Sequence, residues 1–310
     1  MRRNRYAGLA ARMAAIAAAI VCLGLFLDAQ GGQRNQPLQR AAERSLAGRR
    51  GTVVVVDVAS GKIVAARGME TARRRVTSPG STLKPFVLMA LLDAGKVDVA
   101  EARICRKPLR IGSANLDCTH PEEVAELNAA EALAYSCNSY FAEVAARLTG
   151  RELAEALRRA GLDTRSGMAG GEAEGRIAVP ASQEEVQLEA LGYSGVEVTP
   201  LELLEAYRRL ALRKRKGAEA RDAAVFAGLE KSVEYGMAHS AAVNGMKVAG
   251  KTGTSPARNT RWTHGFFAGY APADFPEIAV VVYLEQGRGM DAAAVAQPVL
   301  ETYSARRSKR

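Results

Sequence analysis

Histidine is nearly missing from this chain: His120, His239 and His264 are the only three in 310 residues. A hydrolase built around a histidine base has little material to work with. Tryptophan occurs once and aromatic residues make up 5%. No aromatic-rich RNA-binding signature, zinc-finger spacing or reader helix accompanies the basic residues, so no nucleic-acid partner is expected. The formal charge of +10 includes clusters at Arg73 to Arg75, Arg208 to Lys216 and Arg306 to Arg310. These read as a solvated basic surface facing an anionic lipid leaflet or wall polymer. Cysteine occurs four times. No two cysteines or histidines stand at metal-ligand spacing, so neither a metal nor a cofactor is expected.

An uninterrupted apolar run long enough to cross a bilayer is also lacking. Arg2, Arg3, Arg5 and Arg12 precede an apolar stretch from Met13 to Leu27, shorter than the roughly 20 residues of a full span. Residues 1–29 therefore read as a signal peptide or a short signal anchor. Leu27 would fall at −3 of a cut after Ala29, which leaves cleavage open, and Val21 before Cys22 counts against a lipoprotein site. Either way the body of the chain is expected outside the cytoplasm, periplasmic or extracytoplasmic, anchored in the inner membrane if the segment is uncut. Export permits disulfides, and Cys105 and Cys118 bracket a loop, CRKPLRIGSANLDC, that such a bond could staple.

Residues 30–50 are polar and basic and are assigned as a linker. Gly51 to Gly68 reads as a β-hairpin turning at Ser60-Gly61. Pro79-Gly80 break the chain before an apolar helix from about Ser81 to Ala94, stopped by Gly95. Leu127 to Leu148, Arg151 to Ala160, Thr199 to about Lys214 and residues 222–240 read as further helices, with Ser166 to Ser194 irregular. Strands follow over Met246 to Thr254, Thr263 to Tyr270 and Ile278 to Glu285, and a helix from about Met290 to Ser304 closes the chain. The fold class is α/β (α+β): an antiparallel sheet assembled from both chain ends, flanking helices, and an all-α subdomain sharing a cleft with it. The domain is placed at residues 51–305, with a basic tail at 306–310.

Three short motifs in order carry the chemistry. In Ser81-Thr82-Leu83-Lys84 the serine and lysine lie at i and i+3, on one helix face. A lysine kept partly neutral by burial can take the serine proton, and the alkoxide can attack a carbonyl. The apolar residues that follow, PFVLMALL, bury that helix and its lysine. Ser136 and Asn138 interrupt an apolar helical pattern, and buried polar groups need partners. A proton-relaying hydroxyl and an amide that holds a substrate backbone would supply them; a helix kink or cap is the plainer explanation. Lys251-Thr252-Gly253-Thr254 follows an apolar strand, where Gly253 lets an extended substrate approach and the cation and hydroxyls suit a carboxylate.

Serine-x-x-lysine, serine-x-asparagine and lysine-threonine-glycine form the motif set of penicillin-binding proteins and serine β-lactamases. The chain resembles the transpeptidase domain of penicillin-binding proteins over about Gly51 to Glu301. The likeness rests on GTVVVVDVASGKIVAARG, SPGSTLKPF, SCNSYFAEVAARL, LGYSGVEVTPLELLEAYRRLA, VAGKTGTS and HGFFAGYAP. It implies Ser81 as the acylated nucleophile, Lys84 as its base and Ser136 as a proton shuttle, with Asn138 binding the substrate amide. Lys251 would stabilise charge in the cleft, Thr252 and Thr254 would hold the terminal carboxylate, and the Ser81 and Thr254 amides would form the oxyanion hole. The implied reaction is cross-linking of peptidoglycan stem peptides with release of D-alanine, inhibited by β-lactams, with a glycan polymerase as a candidate partner.

The sequence departs from that family in having no glycosyltransferase domain ahead of the linker and no room for a pedestal domain in residues 30–50, so a minimal unit is expected. A D,D-carboxypeptidase uses the same residues with water as acceptor. A class A β-lactamase would need a Glu-x-x-x-Asn pattern, which Ala181 to Gly195 lacks, whereas a class-D-like route needs only a dry pocket around Lys84. A β-lactam or muropeptide sensor, or a scaffold without catalysis, is the non-enzyme alternative. His264, Trp262 and Phe266 are assigned to packing or edge positions, with lining of the cleft wall as the alternative.

Overall fold

Two apolar runs without polar alternation, TVVVV near residue 52 and IAVVVYL near residue 278, need cover on both faces. In the computed structural model, which describes residues 35–124, 126–257 and 260–309, both runs receive it. Helix α1 (residues 35–45) leads into a hairpin of β1 (Gly51–Asp57) and β2 (Ile63–Arg67), a short helix α2 (Met69–Ala72) and the central helix α3 (Lys84–Asp93). Three two-residue ladders punctuate the middle: β3 (Arg103–Ile104) with β6 (Glu126–Leu127), β4 (Arg110–Ile111) with β5 (Ala114–Asn115), and β7 (Arg176–Ile177) with β8 (Val196–Glu197). The helical lobe comprises α4 (Ala129–Ala134), α5 (Asn138–Ala145), α6 (Gly150–Arg159), α7 (Gln183–Ala190), α8 (Pro200–Arg215) and α9 (Ala223–Glu234). Then come β9 (Ala249–Pro256), β10 (Thr263–Ala271), β11 (Ile278–Leu284) and α10 (Gly289–Arg307).

The main sheet has the order β2-β1-β11-β10-β9, and every pairing is antiparallel. Strands from opposite chain ends meet where β1 pairs β11, with Val53 opposite Val282 and Val55 opposite Val280. Successive side chains point to opposite faces, so each strand serves two cores. Val53, Val55, Val280 and Val282 pack with α1 and α10 residues, whereas Val54, Val56 and Val281 pack with the helical lobe.

The segment expected as a linker is thus partly structural. Leu38, Ala41, Ala42 and Leu46 form a buried stripe at helical spacing among otherwise polar residues. Gln39 gives its amide to the edge strand: Ala66 N donates to Gln39 Oε1 at 2.9 Å, and Gln39 Nε2 donates to the Ala66 carbonyl at 3.0 Å. That covers an otherwise open sheet edge. Helix α10 likewise runs to Arg307, two residues into the expected basic tail. The expected signal peptide or anchor, residues 1–29, lies outside the described residues, as does the start of the expected linker. No described helix is long and apolar enough to cross a membrane.

Two further departures have local causes. The helix expected over Leu127 to Leu148 is broken between Tyr135 and Cys137, giving α4 and α5. Cys137 caps α5 by accepting the Tyr140 N–H, and Ser136 takes a left-handed conformation, φ 55°. The stretch expected to be irregular, Ser166 to Ser194, contains α7, started by Ser182 accepting the Glu185 N–H.

Glu189, near the end of α7, is 1% exposed and its Oε1 has no hydrogen-bond partner. Burial pushes its carboxyl up to about 8, against the pull of Arg158 and with a further push from Glu185. Burial also raises Glu202 to about 7. Between about 4.5 and these values the folded chain holds protons that the unfolded chain has released, so these groups lower stability as pH rises. Glu189→Gln is therefore expected to reduce the loss of stability between pH 4.5 and 8 by about 1–3 kcal/mol. Urea melts at both pH values check this, and an unchanged pH dependence would count against a neutral Glu189.

Candidate active site

The first motif does not open directly as an α-helix. Gly80–Leu83 form one turn of 3-10 helix, and α3 continues from Lys84 with Pro85 in its first turn. Thr82 Oγ1 donates to the Pro79 carbonyl at 2.8 Å, and the buried Tyr207 hydroxyl of α8 donates to the Thr82 carbonyl at 2.9 Å. Tyr207 also meets Phe86 edge-on, with ring centroids 5.5 Å apart. The Ser81 turn is thereby held at the Pro79 and Thr82 carbonyls.

Two glycines let β9 press against that turn. Gly80 has φ 60°, and a Cβ on it would lie 2.7 Å from the Thr254 nitrogen. This apposition brings the Ser81 and Thr254 segments to one end of the cleft. A Cβ on Gly253 would lie 2.2 Å from the Pro79 carbonyl and 3.0 Å from Thr82 Cγ2. Gly253 thus admits the Ser81 turn, where its position in the strand had suggested an extended substrate.

Lys84 is fully buried. Its Nζ donates to the Ser136 carbonyl at 2.7 Å, to Asn138 Oδ1 at 2.6 Å and to Ser136 Oγ at 3.2 Å, and lies 5.2 Å from the centre of the Phe141 ring. Among the described residues no hydrogen bond joins it to Ser81: its three protons go to the second motif. Burial lowers its amine to about 8, partly opposed by Cys137 and Cys118. The polar interruption in the helix pattern is thus explained, because Ser136 and Asn138 are what a buried ammonium requires. Asn138 is held in turn by its Nδ2 donating to the Leu116 carbonyl at 2.9 Å.

Lys251, on β9, is also fully buried and donates to the Thr252 carbonyl at 3.1 Å. Burial, with the nearby Lys84 charge, pushes its amine well below the usual lysine range. Thr254 Oγ1 accepts the Gly289 N–H at 2.9 Å, which leaves its hydroxyl proton free to donate. A cleft of about 500 Å³ is lined by Ser81, Ser136, Asn138, Thr252 and Thr254, so residues from all three motifs converge. Asp117, Thr119, Met237, Arg288 and Met290 complete its walls. None of these five stands in a motif; they reach the cleft from loops and the start of α10.

A family model for the penicillin binding protein transpeptidase domain matches residues 51–304. The chain belongs to that family. Among curated relatives of this transpeptidase domain, peptidoglycan D,D-transpeptidase MrdA of Acinetobacter baumannii is 26% identical, over 88% of this chain and 53% of the relative. Probable peptidoglycan D,D-transpeptidase PenA of Neisseria flavescens is 26% identical, over 81% of this chain and 73% of the relative. The chain therefore spans about half the length of the first. The fold is shared with the D,D-transpeptidase domain of a peptidoglycan glycosyltransferase from Eggerthella lenta: TM-score 0.74, 21% identity, 88% of this chain and 82% of that one. It is shared equally with Pseudomonas aeruginosa PBP2 in complex with WCK 5153: TM-score 0.74, 24% identity, 86% and 74%.

The structure bears on three further expectations. Cys105 and Cys118 are not bonded; the described cysteines are free, and Cys118 Sγ faces Cys137 Sγ at 3.7 Å instead. The lack of metal-ligand spacing does not keep ligands apart, because Cys105, Cys118, His120 and Cys137 converge from separate segments. His264 lines a separate depression with Trp262, its Nδ1 3.0 Å from the Tyr283 hydroxyl, while Phe266 is buried. None of the three lines the cleft, and a packing or edge position was the expected role.

The contact of Gly253 with Pro79 makes a stability test. Gly253→Ala is expected to cost about 1–3 kcal/mol by forcing β9 from the Ser81 turn. A wild-type urea midpoint for the variant would show that the two segments are not in contact.

Proposed function

We propose that this chain is a peptidoglycan D,D-transpeptidase that works through an acyl ester on Ser81. The observation that carries the reading is the buried Lys84 in contact with both polar residues of the second motif, at a cleft that the third motif also lines. Ser81 Oγ attacks the carbonyl carbon of the penultimate D-alanine of a stem peptide. Neutral Lys84 takes the hydroxyl proton, and the Ser81 and Thr254 amides receive the developing oxyanion. Ser136 relays the proton from Lys84 to the leaving nitrogen. The C–N bond breaks, D-alanine departs, and the amine of a second stem attacks the ester to re-form an amide and free Ser81.

Substrate binding divides between the cleft walls. Asn138 presents its amide to the donor peptide. Thr252 and Thr254 offer hydroxyls to the terminal carboxylate, with Lys251 behind them and Arg288 at the same cleft supplying positive charge. A β-lactam carries a carboxylate and a strained amide in the same relation, so it acylates Ser81 in the same way. The work is done outside the cytoplasm, with the N-terminal segment as signal or anchor and a glycan polymerase as a candidate partner.

The test is intact-mass spectrometry of the chain with benzylpenicillin, followed over hours. A stable adduct on wild type and none on Ser81→Ala is the expected result. Lys84→Ala is expected to slow acylation by about 10²–10⁴-fold. Rapid loss of the adduct with turnover of the antibiotic would instead assign a β-lactamase. Failure to form any adduct would remove the acyl-enzyme reading. Release of D-alanine from a pentapeptide with no dimer formed when an acceptor amine is supplied would make the chain a carboxypeptidase.

A further inference from the structure

Directly behind the second motif lies a cluster, buried except for the half-buried Cys105, that this chemistry does not use. The Sγ atoms of Cys105, Cys118 and Cys137 and a ring nitrogen of His120 all lie within 4.8 Å of one another. We propose that these four residues bind one zinc ion, which positions the Ser136–Asn138 segment from beneath the cleft.

The geometry suits a tetrahedral ion. The Cys118 and Cys137 sulfurs are 3.7 Å apart, and zinc–sulfur bonds of about 2.3 Å place tetrahedral ligands about 3.8 Å apart. His120 is set up as the fourth ligand. It is 4% exposed, and its Nδ1 lies 2.9 Å from the Pro121 carbonyl, so the ring proton sits on Nδ1 and donates there. Nε2 then keeps a lone pair, and it is buried with no partner. Metal-bound histidines are oriented in this way, with the distal N–H on a carbonyl.

The sulfurs are also supported from behind. Cys118 Sγ accepts the Asn138 N–H at 3.1 Å and the Ser139 N–H at 3.4 Å, and Cys137 Sγ accepts the Tyr140 N–H at 3.4 Å. Such donors stabilise thiolates. Three thiolates and one imidazole form a closed, soft set, which selects zinc over magnesium or calcium and leaves no open position for substrate. Binding replaces each remaining thiol proton with a metal bond and releases those protons to solvent.

The surroundings give such an ion a role. Residues 105–118 carry one two-residue ladder, β4–β5, and meet α5 where the Arg106 N–H donates to Ser139 Oγ at 2.9 Å and Asn138 Nδ2 donates to the Leu116 carbonyl at 2.9 Å. Zinc would tie both ends of that loop to the cap of α5. Cys137 stands between Ser136, held at φ 55°, and Asn138, and both neighbours contact Lys84. A left-handed serine is strained and persists only where its surroundings enforce it. The metal half of this inference is independent of the activity; the positioning half rests on the proposed function.

The experiment uses the full chain purified without chelators, with elemental analysis and intact mass measured together. One zinc per chain is expected in wild type and equally in Ser81→Ala, which separates metal binding from catalysis. Exchange for Co²⁺ should give the visible bands of a tetrahedral thiolate site. Cys118→Ser and His120→Ala should lose them, whereas Cys105→His should retain a metal. Should the first two variants fail to fold, chelation of wild type replaces them: benzylpenicillin acylation should slow about tenfold or more and recover when zinc returns. A chain that holds no zinc and takes none up would overturn the site, as would a disulfide among these cysteines or zinc retained by both variants. Zinc removal that leaves acylation unchanged would overturn the positioning role.

Discussion

The buried Lys84 amine is the contact on which the site depends. An ammonium removed from water needs its protons satisfied, and here it finds the Ser136 carbonyl, the Ser136 hydroxyl and the Asn138 amide oxygen. Those groups lie on the break between α4 and α5, so satisfying the lysine docks that break onto α3. The break follows from the same need: a continuous helix there would keep the Ser136 carbonyl in its own ladder and away from Lys84. The left-handed backbone at Ser136 is the local consequence.

On the other side, the sheet holds the Ser81 turn by close backbone approach. Gly80 and Gly253 leave no side chain between the turn and β9, and Tyr207 anchors the turn from α8. The sheet resists displacement because it is covered on both faces. Alternate valines of β1 and β11 feed two cores, one under α1 and α10 and one continuous with the helical lobe. The cleft lies between two bodies that share one central helix, α3.

Much of this was legible in the residues. The hairpin, the three C-terminal strands and the closing helix follow from uninterrupted valine runs, turn residues and caps, and their bounds shift by only a few residues. The motifs were legible because each sets a polar pair into an apolar pattern. The helix at residues 35–45 was hidden because only Leu38, Ala41, Ala42 and Leu46 are apolar in a segment whose other face is charged. Helix α7 was hidden by the glycines before it. Arg288 and Asp117 carried no signal at all, since a residue reaches a cleft from a loop through topology rather than spacing.

By itself, the sequence determined most of the order of strands and helices, the family, and which residues carry amines and hydroxyls in the three motifs. These depend on local periodicity and on short motifs, and both survive in one dimension. Only the tertiary structure decided what each of them touches. It directed the protons of Lys84 to the second motif, placed Gly253 against the Ser81 turn, and drew Cys105, Cys118, His120 and Cys137 to one point. Such meetings are set by how helices pack and loops close over long sequence separations, and no local pattern encodes that distance.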